Sequence, residues 1–243
     1  MRILLLLVAL LFTACQKSPS VVQDSKLSLY KAVRKGELNL VKNIVESDSS
    51  INLNHAENKK FPILHLAAAW KKAKVLKYLI SKGAKVDIET FNGFYPIHLA
   101  AESACIECMK VLIENGADVN RENKKNKVFP LASVIPSKNI EAIKFLLDNG
   151  AKVDVAKGMM ISPLSMAVRG QSLDIVKLLM EKGNAKDING AMYFVTMYNR
   201  LDIAKYLLSR ASMDINNADG INLMENASEE MRELFIKYGA KAQ

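Results

Sequence analysis

The sequence predicts an all-α solenoid of stacked helix-turn-helix repeats joined by short turn or hairpin segments, and three observations lead there. First, the pattern G-A-x-V-[DN] occurs as Gly83-Ala-Lys-Val-Asp87, Gly116-Ala-Asp-Val-Asn120 and Gly150-Ala-Lys-Val-Asp154. A weaker copy stands at Gly183-Asn-Ala-Lys-Asp187 and a remnant at Gly239-Ala-Lys241. The four longer copies start 33, 34 and 33 residues apart, and a fixed period of that size marks a solenoid built from one small unit. Second, an apolar-rich segment runs into each glycine: VLKYLISKG, CMKVLIENG, AIKFLLDNG and IVKLLMEKG. Apolar residues recur there three and four apart, which predicts an amphipathic helix, and the glycine falls where a left-handed C-cap is needed. Third, a proline followed by small and apolar residues lies upstream of each, at 62–68, 96–101, 130–134 and 163–168. This predicts a second helix per unit, because a proline in the first turn gives up only an N–H that would be unpaired there.

Taken in chain order, the opening MRILLLLVALLFTACQKSPS places Arg2 before an unbroken apolar run at 3–12. That run is too short for the ~20 residues of a spanning helix and suits the hydrophobic region of a secretory signal. Phe12-Thr13-Ala14-Cys15 resembles the lipobox of bacterial lipoproteins, with Phe12 where leucine is usual. The resemblance implies a signal peptide over 1–14, removed to leave Cys15 as a lipidated N-terminus with enough acyl chains for stable anchoring. An ordinary secretory signal or membrane anchor with an incidental cysteine is the alternative. Gln16, standing where an Asp would signal inner-membrane retention, implies the outer membrane, facing the periplasm. Residues 15–26 are polar and carry Ser18, Pro19 and Ser20; they are expected to form a flexible tether of roughly 15–20 Å.

The repeat domain follows over 27–243. It reads as a degenerate opening unit (27–54), four recognisable units (55–87, 88–120, 121–154 and 155–187), a shortened unit (188–216) and a closing cap (217–243). Between units, Asn92-Gly93 within Glu89-Thr-Phe-Asn-Gly-Phe94 predicts a tight turn. The shortened unit has no turn segment after Asp187, and its first helix, AMYFVTMYNR, lacks the proline and the run of alanines. Tyr95-Pro-Ile-His-Leu-Ala-Ala101 followed by Gly116-Ala-Asp-Val-Asn120 resembles an ankyrin repeat, whose signature is T-P-L-H-x-A-A … G-A-D-V-N.

Composition narrows the partners. Half of the residues are hydrophobic, enough to bury a sizeable core, and the formal charge of +9 favours acidic partners or anionic headgroups. Nucleic acid is not expected as the partner of an exported chain. The sequence holds no G-x-S-x-G, H-E-x-x-H, phosphate-binding or dinucleotide-binding pattern, so an enzyme, a cofactor, a metal and a small-molecule substrate are not expected. His65 and His98 fall at the family's histidine position, which implies a hydrogen-bonding bracket between repeats. His55 stands alone.

Cys105 and Cys108 have the C-x-x-C spacing of zinc knuckles and thiol redox centres. Only two thiols lie in the folded domain, which disfavours zinc, and no βαβ context supports thioredoxin-type chemistry. In the ankyrin register Cys105 opens a helix and Cys108 takes a buried position usually held by valine. In an oxidising periplasm the pair is a candidate disulfide, its short loop worth roughly 2 kcal/mol. Two free thiols are the alternative.

The resemblance implies binding of another protein through the turn tips and the exposed ends of the first helices. Those places hold Asn58, Lys59, Phe61, Ala69 and Trp70 in the second unit, and Phe91, Asn92, Phe94, Glu102 and Ser103 in the third. They hold Lys125, Asn126, Val128, Pro136 and Ser137 in the fourth, Met159, Ile161, Arg169 and Gly170 in the fifth, and Met197 and Tyr198 in the sixth. Phe61, Trp70, Phe91, Phe94, Met159, Ile161, Arg169 and Tyr198 are the expected partner contacts, rimmed by Lys59, Lys60, Lys71 and Lys72, since Trp, Tyr and Arg dominate interface energetics. For Phe61, Phe94 and Trp70 the alternative is packing between adjacent turns. The expected function is a non-catalytic protein–protein interaction module tethered by lipid to the bacterial envelope and binding a periplasmic or secreted protein. The alternatives are an inhibitor or immunity protein for a secreted toxin or enzyme, and a binder of anionic headgroups at the envelope surface.

Overall fold

The computed structural model describes residues 19–55, 61–153, 162–183, 185, 188–210, 215 and 223–241, with side chains described from Leu27 onward. Within these residues the chain forms helices and turns and no strand. The first helix of each unit is α1 (Pro19–Lys35), α3 (Ile63–Ala69), α5 (Pro96–Glu102), α7 (Pro130–Val134, prolonged by a 3-10 turn at Ile135–Ser137), α9 (Pro163–Arg169) and α11 (Asn189–Met197). The second helices are α2 (Leu38–Ser47), α4 (Ala73–Ser81), α6 (Ile106–Glu114), α8 (Ile140–Asp148), α10 (Leu173–Glu181) and α12 (Leu201–Arg210), and α13 (Glu229–Lys237) closes the array. First helices stack on first helices and second on second along the array, so each unit rests on its neighbours.

The two layers divide the core by side-chain size. Ala67, Ala68, Ala100, Ala101, Ala167 and Ala191 of the first helices are fully buried, and their small volume lets these helices approach closely. The second helices contribute a stripe at i, i+1 and i+4: Val75, Leu76 and Leu79; Cys108, Met109 and Leu112; Ile175, Val176 and Leu179, all buried.

Three second helices, α4, α6 and α8, end as the glycines predict, whereas Gly183 after α10 is not left-handed, and there an added Cβ would meet Val153 and the Leu179 carbonyl. Gly83, Gly116 and Gly150 have φ of +92°, +90° and +85°. The N–H of the following alanine reaches back five residues to the carbonyl of Leu79, Leu112 or Leu146, at 3.0, 2.9 and 2.9 Å. At Gly116 an added Cβ would meet nothing within 4 Å, so the left-handed backbone alone demands glycine there.

The turn between the two helices of a unit holds a second left-handed residue, which the sequence did not betray. Gly36, Lys71, Ala104, Lys138, Gln171 and Asn199 all have positive φ, and only the first is glycine. The backbone compensates: the N–H groups of Lys72 and Cys105, each just after the left-handed residue, close the same cap onto the carbonyls of Ala67 and Ala100, both at 2.8 Å.

Two expectations are corrected. The helix α1 begins at Pro19, so the tether expected over 15–26 overlaps it; after Pro19 no glycine or second proline interrupts the stretch, and proline is well suited to a first turn. Pro62 is not in the first turn of α3 but one residue earlier, at its N-cap, whereas Pro96, Pro130 and Pro163 sit in the first turn as expected. The signal peptide expected at 1–14 and Cys15 lie outside the described residues. The cap helix α13 has its Ser228 hydroxyl accepting from the Met231 N–H at 3.3 Å, acids Glu229 and Glu230 in its first turn and Lys237 in its last, matching the helix dipole.

Candidate protein-binding face

Brackets between repeats position the turn tips. His98 is fully buried; its Nε2–H donates to the Val128 carbonyl of the next unit at 3.0 Å, and its Nδ1 accepts the Tyr95 N–H at 3.2 Å. His65 likewise donates from Nε2 to the Phe94 carbonyl at 3.0 Å, but its buried Nδ1 has no partner. The register of Pro62 explains the difference. The residue that donates to His98 is the N-cap Tyr95, and the corresponding N-cap of α3 is a proline with no N–H. Burial pushes both imidazoles down to about 4, so both rings are neutral at ordinary pH and serve as structural donors.

Asparagines add further brackets. Asn54 and Asn120 each donate to a carbonyl and accept an N–H in the following unit, Gly83 and Lys85 for the first, Gly150 and Lys152 for the second. The buried Asn123 donates to Asn92 O at 3.2 Å and accepts the N–H groups of Lys125 and Asn126, tying one tip to the next. The tip at 90–94 is itself closed by the Thr90 N–H donating to Phe94 O at 2.8 Å. So held, Phe91 stands 53% exposed, with the Lys125 ammonium 5.7 Å from its ring centre.

The expected partner contacts separate into groups. Phe61, Trp70 and Phe94 are half-buried against the core, Phe61 tilted over His65 and Phe94 edge-on to His98 at 5.8 Å. Met159, Ile161, Asn58, Lys59 and Lys60 lie outside the described residues. Arg169 and Tyr198 come together: the Arg169 guanidinium lies 5.5 Å above the Phe194 ring, and Phe194 and Tyr198 stack at 6.3 Å and 15°. Arg169 and Tyr198 line a notch of about 420 Å³ that also takes in Pro136, Met166 and Gly170. Tyr198 is 39% exposed and the adjacent Met197 49%. Phe91, at the tip of the third unit, belongs to a separate place from this notch at the ends of α9 and α11. Phe194 was missed from sequence, although its position four residues before Tyr198 is the spacing that stacks two side chains on one helix face.

Cys105 and Cys108 are joined as a disulfide, Cα atoms 5.2 Å apart, and Cys105 also caps α6 by accepting the Cys108 N–H. Among the described residues no three His, Cys, Asp or Glu side chains gather as a metal-holding group.

A family model for ankyrin repeats (three copies) matches residues 6–90, 29–123, 84–157 and 131–219. The human transient receptor potential cation channel subfamily A member 1 is 31% identical over 97 residues, 40% of this chain and 9% of the channel. A putative palmitoyltransferase ZDHHC13 of Danio rerio is 33% identical over 104 residues, 42% of this chain and 16% of that protein. This chain thus spans only a small part of either relative's length. Among solved structures, the ankyrin repeat domain of human ASB11 superposes with a TM-score of 0.74 at 22% identity, covering 88% of this chain and 99% of that one. The ankyrin repeat domain of Bcl-3 gives 0.72 at 24%, covering 86% and 97%. Periodic caps, histidine brackets, the family match and the shared architecture agree, and the chain belongs to the ankyrin-repeat family.

Proposed function

We propose that this chain is a non-catalytic protein-binding module held at a bacterial envelope by lipid on Cys15. Ankyrin repeats generally mediate protein–protein interaction, and the fold is typically a non-catalytic one. The observation that carries the reading for this chain is the notch, where Arg169 and Tyr198 line a ready-made concavity and the Phe194 ring, in contact with both, holds them together. Arginine and aromatic side chains are the usual interface anchors, and a stacked array already in place loses little ordering entropy on binding. The net charge of +9 supports an acidic partner. The lipobox-like run ending at Cys15 supports anchoring, Gln16 supports the outer membrane, and an oxidising periplasm is where a bond between Cys105 and Cys108 persists. Among the described residues no helix is long and apolar enough to cross a membrane.

The test is capture from envelope extract by the full chain beside an Arg169→Ala/Tyr198→Ala variant, with palmitate labelling of wild type and Cys15→Ala run in parallel. A partner retained by the wild type and lost by the double variant is expected, together with label that depends on Cys15. Equal capture by both proteins removes the notch from the reading, and unlabelled wild type removes the anchor. A captured hydrolase or toxin whose activity falls on binding would mark an inhibitor; one whose activity is kept would mark a scaffold.

A further inference from the structure

We propose that a lysine-walled groove along the helix–helix turns of the first three units binds an acidic segment of a protein partner. The inference rests on the reading of the chain as a protein-binding module and assigns it a second surface of different chemistry. The groove measures about 690 Å³ and is walled by Lys35, Lys71, Lys72 and Lys74, with Glu107 as its one acid. Some lysines elsewhere meet acids, Lys82 with Glu46, Lys124 with Glu89, Lys127 with Glu122 and Lys144 with Glu141. Among the described residues Lys71, Lys72 and Lys74 have no such pairing, and Lys35 meets only Glu37, at 3.5 Å. Like charges that outnumber the acids beside them repel one another, and an acidic ligand relieves that repulsion.

The groove is also shaped. The stem of the half-buried Lys72 lies across Gly36 of the preceding unit, where an added Cβ would come within 2.9 Å of Lys72 Cδ. It is the φ of +79° that favours glycine at Gly36, and the absent Cβ leaves room for the Lys72 stem. With its stem fixed, Lys72 holds its charge in place before any ligand arrives. Ala73 and Ala104 line the floor, and residues without long side chains let an extended peptide backbone lie close.

Position argues against the chain's own bilayer as the occupant. The helix α1 runs 17 residues from Pro19 to Lys35, about 25 Å. Cys15 precedes its first residue, so a lipid there is tied to the opposite end of α1 from the lysines. The groove faces the aqueous side of an anchored molecule, where a protein segment rather than a headgroup is met.

The experiment uses the full chain in detergent and three probes: a fluorescent oligoglutamate peptide, its glutamine counterpart and phosphatidylglycerol vesicles. Lys71→Asn/Lys74→Gln removes two exposed charges, with asparagine chosen because it tolerates the left-handed turn. Binding of oligoglutamate, weakening steeply with salt and about tenfold in the double variant at an unchanged melting temperature, is expected. Arg169→Ala/Tyr198→Ala should bind the peptide as wild type does. Equal binding of oligoglutamate by the lysine variant, or no preference over the glutamine peptide, overturns the proposal. Lysine-dependent vesicle binding without peptide binding overturns it in favour of a headgroup site. Peptide binding that survives while envelope extract yields no partner leaves the groove standing and refutes the broader reading instead.

Discussion

Replacing Pro62 by threonine should stabilise this protein, although proline substitutions are usually discussed in the other direction. The N-cap of α3 is Pro62, and the fully buried His65 three residues on has an Nδ1 with no donor. In the next unit Tyr95 N–H fills that place on His98 at 3.2 Å. Threonine restores the missing N–H and adds a hydroxyl that accepts the His65 N–H, as a capping residue does. Satisfying a buried acceptor recovers about 1–3 kcal/mol, and a good N-cap about 1 kcal/mol. Against this, the unfolded chain regains the freedom proline denied it, about 0.4–1 kcal/mol. Pro62 has φ −53° and ψ 149°, extended backbone that threonine adopts without strain. The net expectation is a gain of about 1–2 kcal/mol, which for a chain of this size raises the melting temperature by roughly 2–8 °C. Urea denaturation followed by circular dichroism measures it, with Pro62→Ala supplying the N–H without the hydroxyl and landing between the two. A midpoint for Pro62→Thr at or below wild type would show that the orphaned nitrogen is not what distinguishes this unit.

Three further outcomes follow from the same brackets. Because burial holds His65 and His98 at about 4, the unfolded chain binds more protons between there and the ordinary value of 6.5. Stability is therefore complete above about pH 6.5 and falls as pH drops toward 4, by about 3 kcal/mol per ring; a urea midpoint flat across that window would contradict it. Asn123→Ala leaves Asn92 O and two tip N–H groups without their partner, so a loss of about 2–3 kcal/mol and faster amide exchange at 123–126 are expected; unchanged exchange would release Asn123 from this role. Thiol counting on unreduced protein should find Cys105 and Cys108 unreactive, with reduction lowering stability by about 2 kcal/mol; two reactive thiols before reduction would remove the bond.

What the sequence made legible was whatever repeats. Glycine contexts, apolar spacing and the proline-alanine helices located both layers of the array, because each answers to a local rule: a left-handed cap, a helical stripe, a donor not needed. Less legible were features set by the backbone or by neighbouring units. The left-handed residues Lys71, Ala104, Lys138, Gln171 and Asn199 have no common residue type, since their conformation is held by backbone bonds to carbonyls of the preceding helix and not by their own side chains. The notch escaped in part for a similar reason. Arg169 and Tyr198 were nameable from register, but the ring that joins them, Phe194, comes from the shortened unit where the register carries no motif. Phe61, Phe94 and Trp70 show the converse: aromatic type suggested contact with a partner, and their side chains rest instead half-buried on the repeat core.

The brackets are unevenly distributed, and this bears on how the two surfaces bind. Histidine ties cross from the second to the third unit and from the third to the fourth; asparagine ties join the first unit to the second at Asn54 and the third to the fourth at Asn120 and Asn123. In the fourth and fifth units the histidine position is taken by Ala132 and Ser165, and Ser165 bonds within its own helix start, to Ser162. Stability in a stacked array is close to a sum of unit and interface terms, so the interfaces after the fourth unit, which no histidine tie crosses among the described residues, are expected to be the weaker ones, although Tyr206–Glu181 and Ser228–Asn199 bonds join them. Local opening draws on the weakest interfaces first. Amides of α9 and α11 should then exchange faster than those of α3 and α5. The lysine groove would then lie on the better protected half of the array, and the notch beside Arg169 and Tyr198 on the half that opens more readily. Equal protection across both halves would mean that apolar stacking alone sets the interface strength and that the polar ties decide register only.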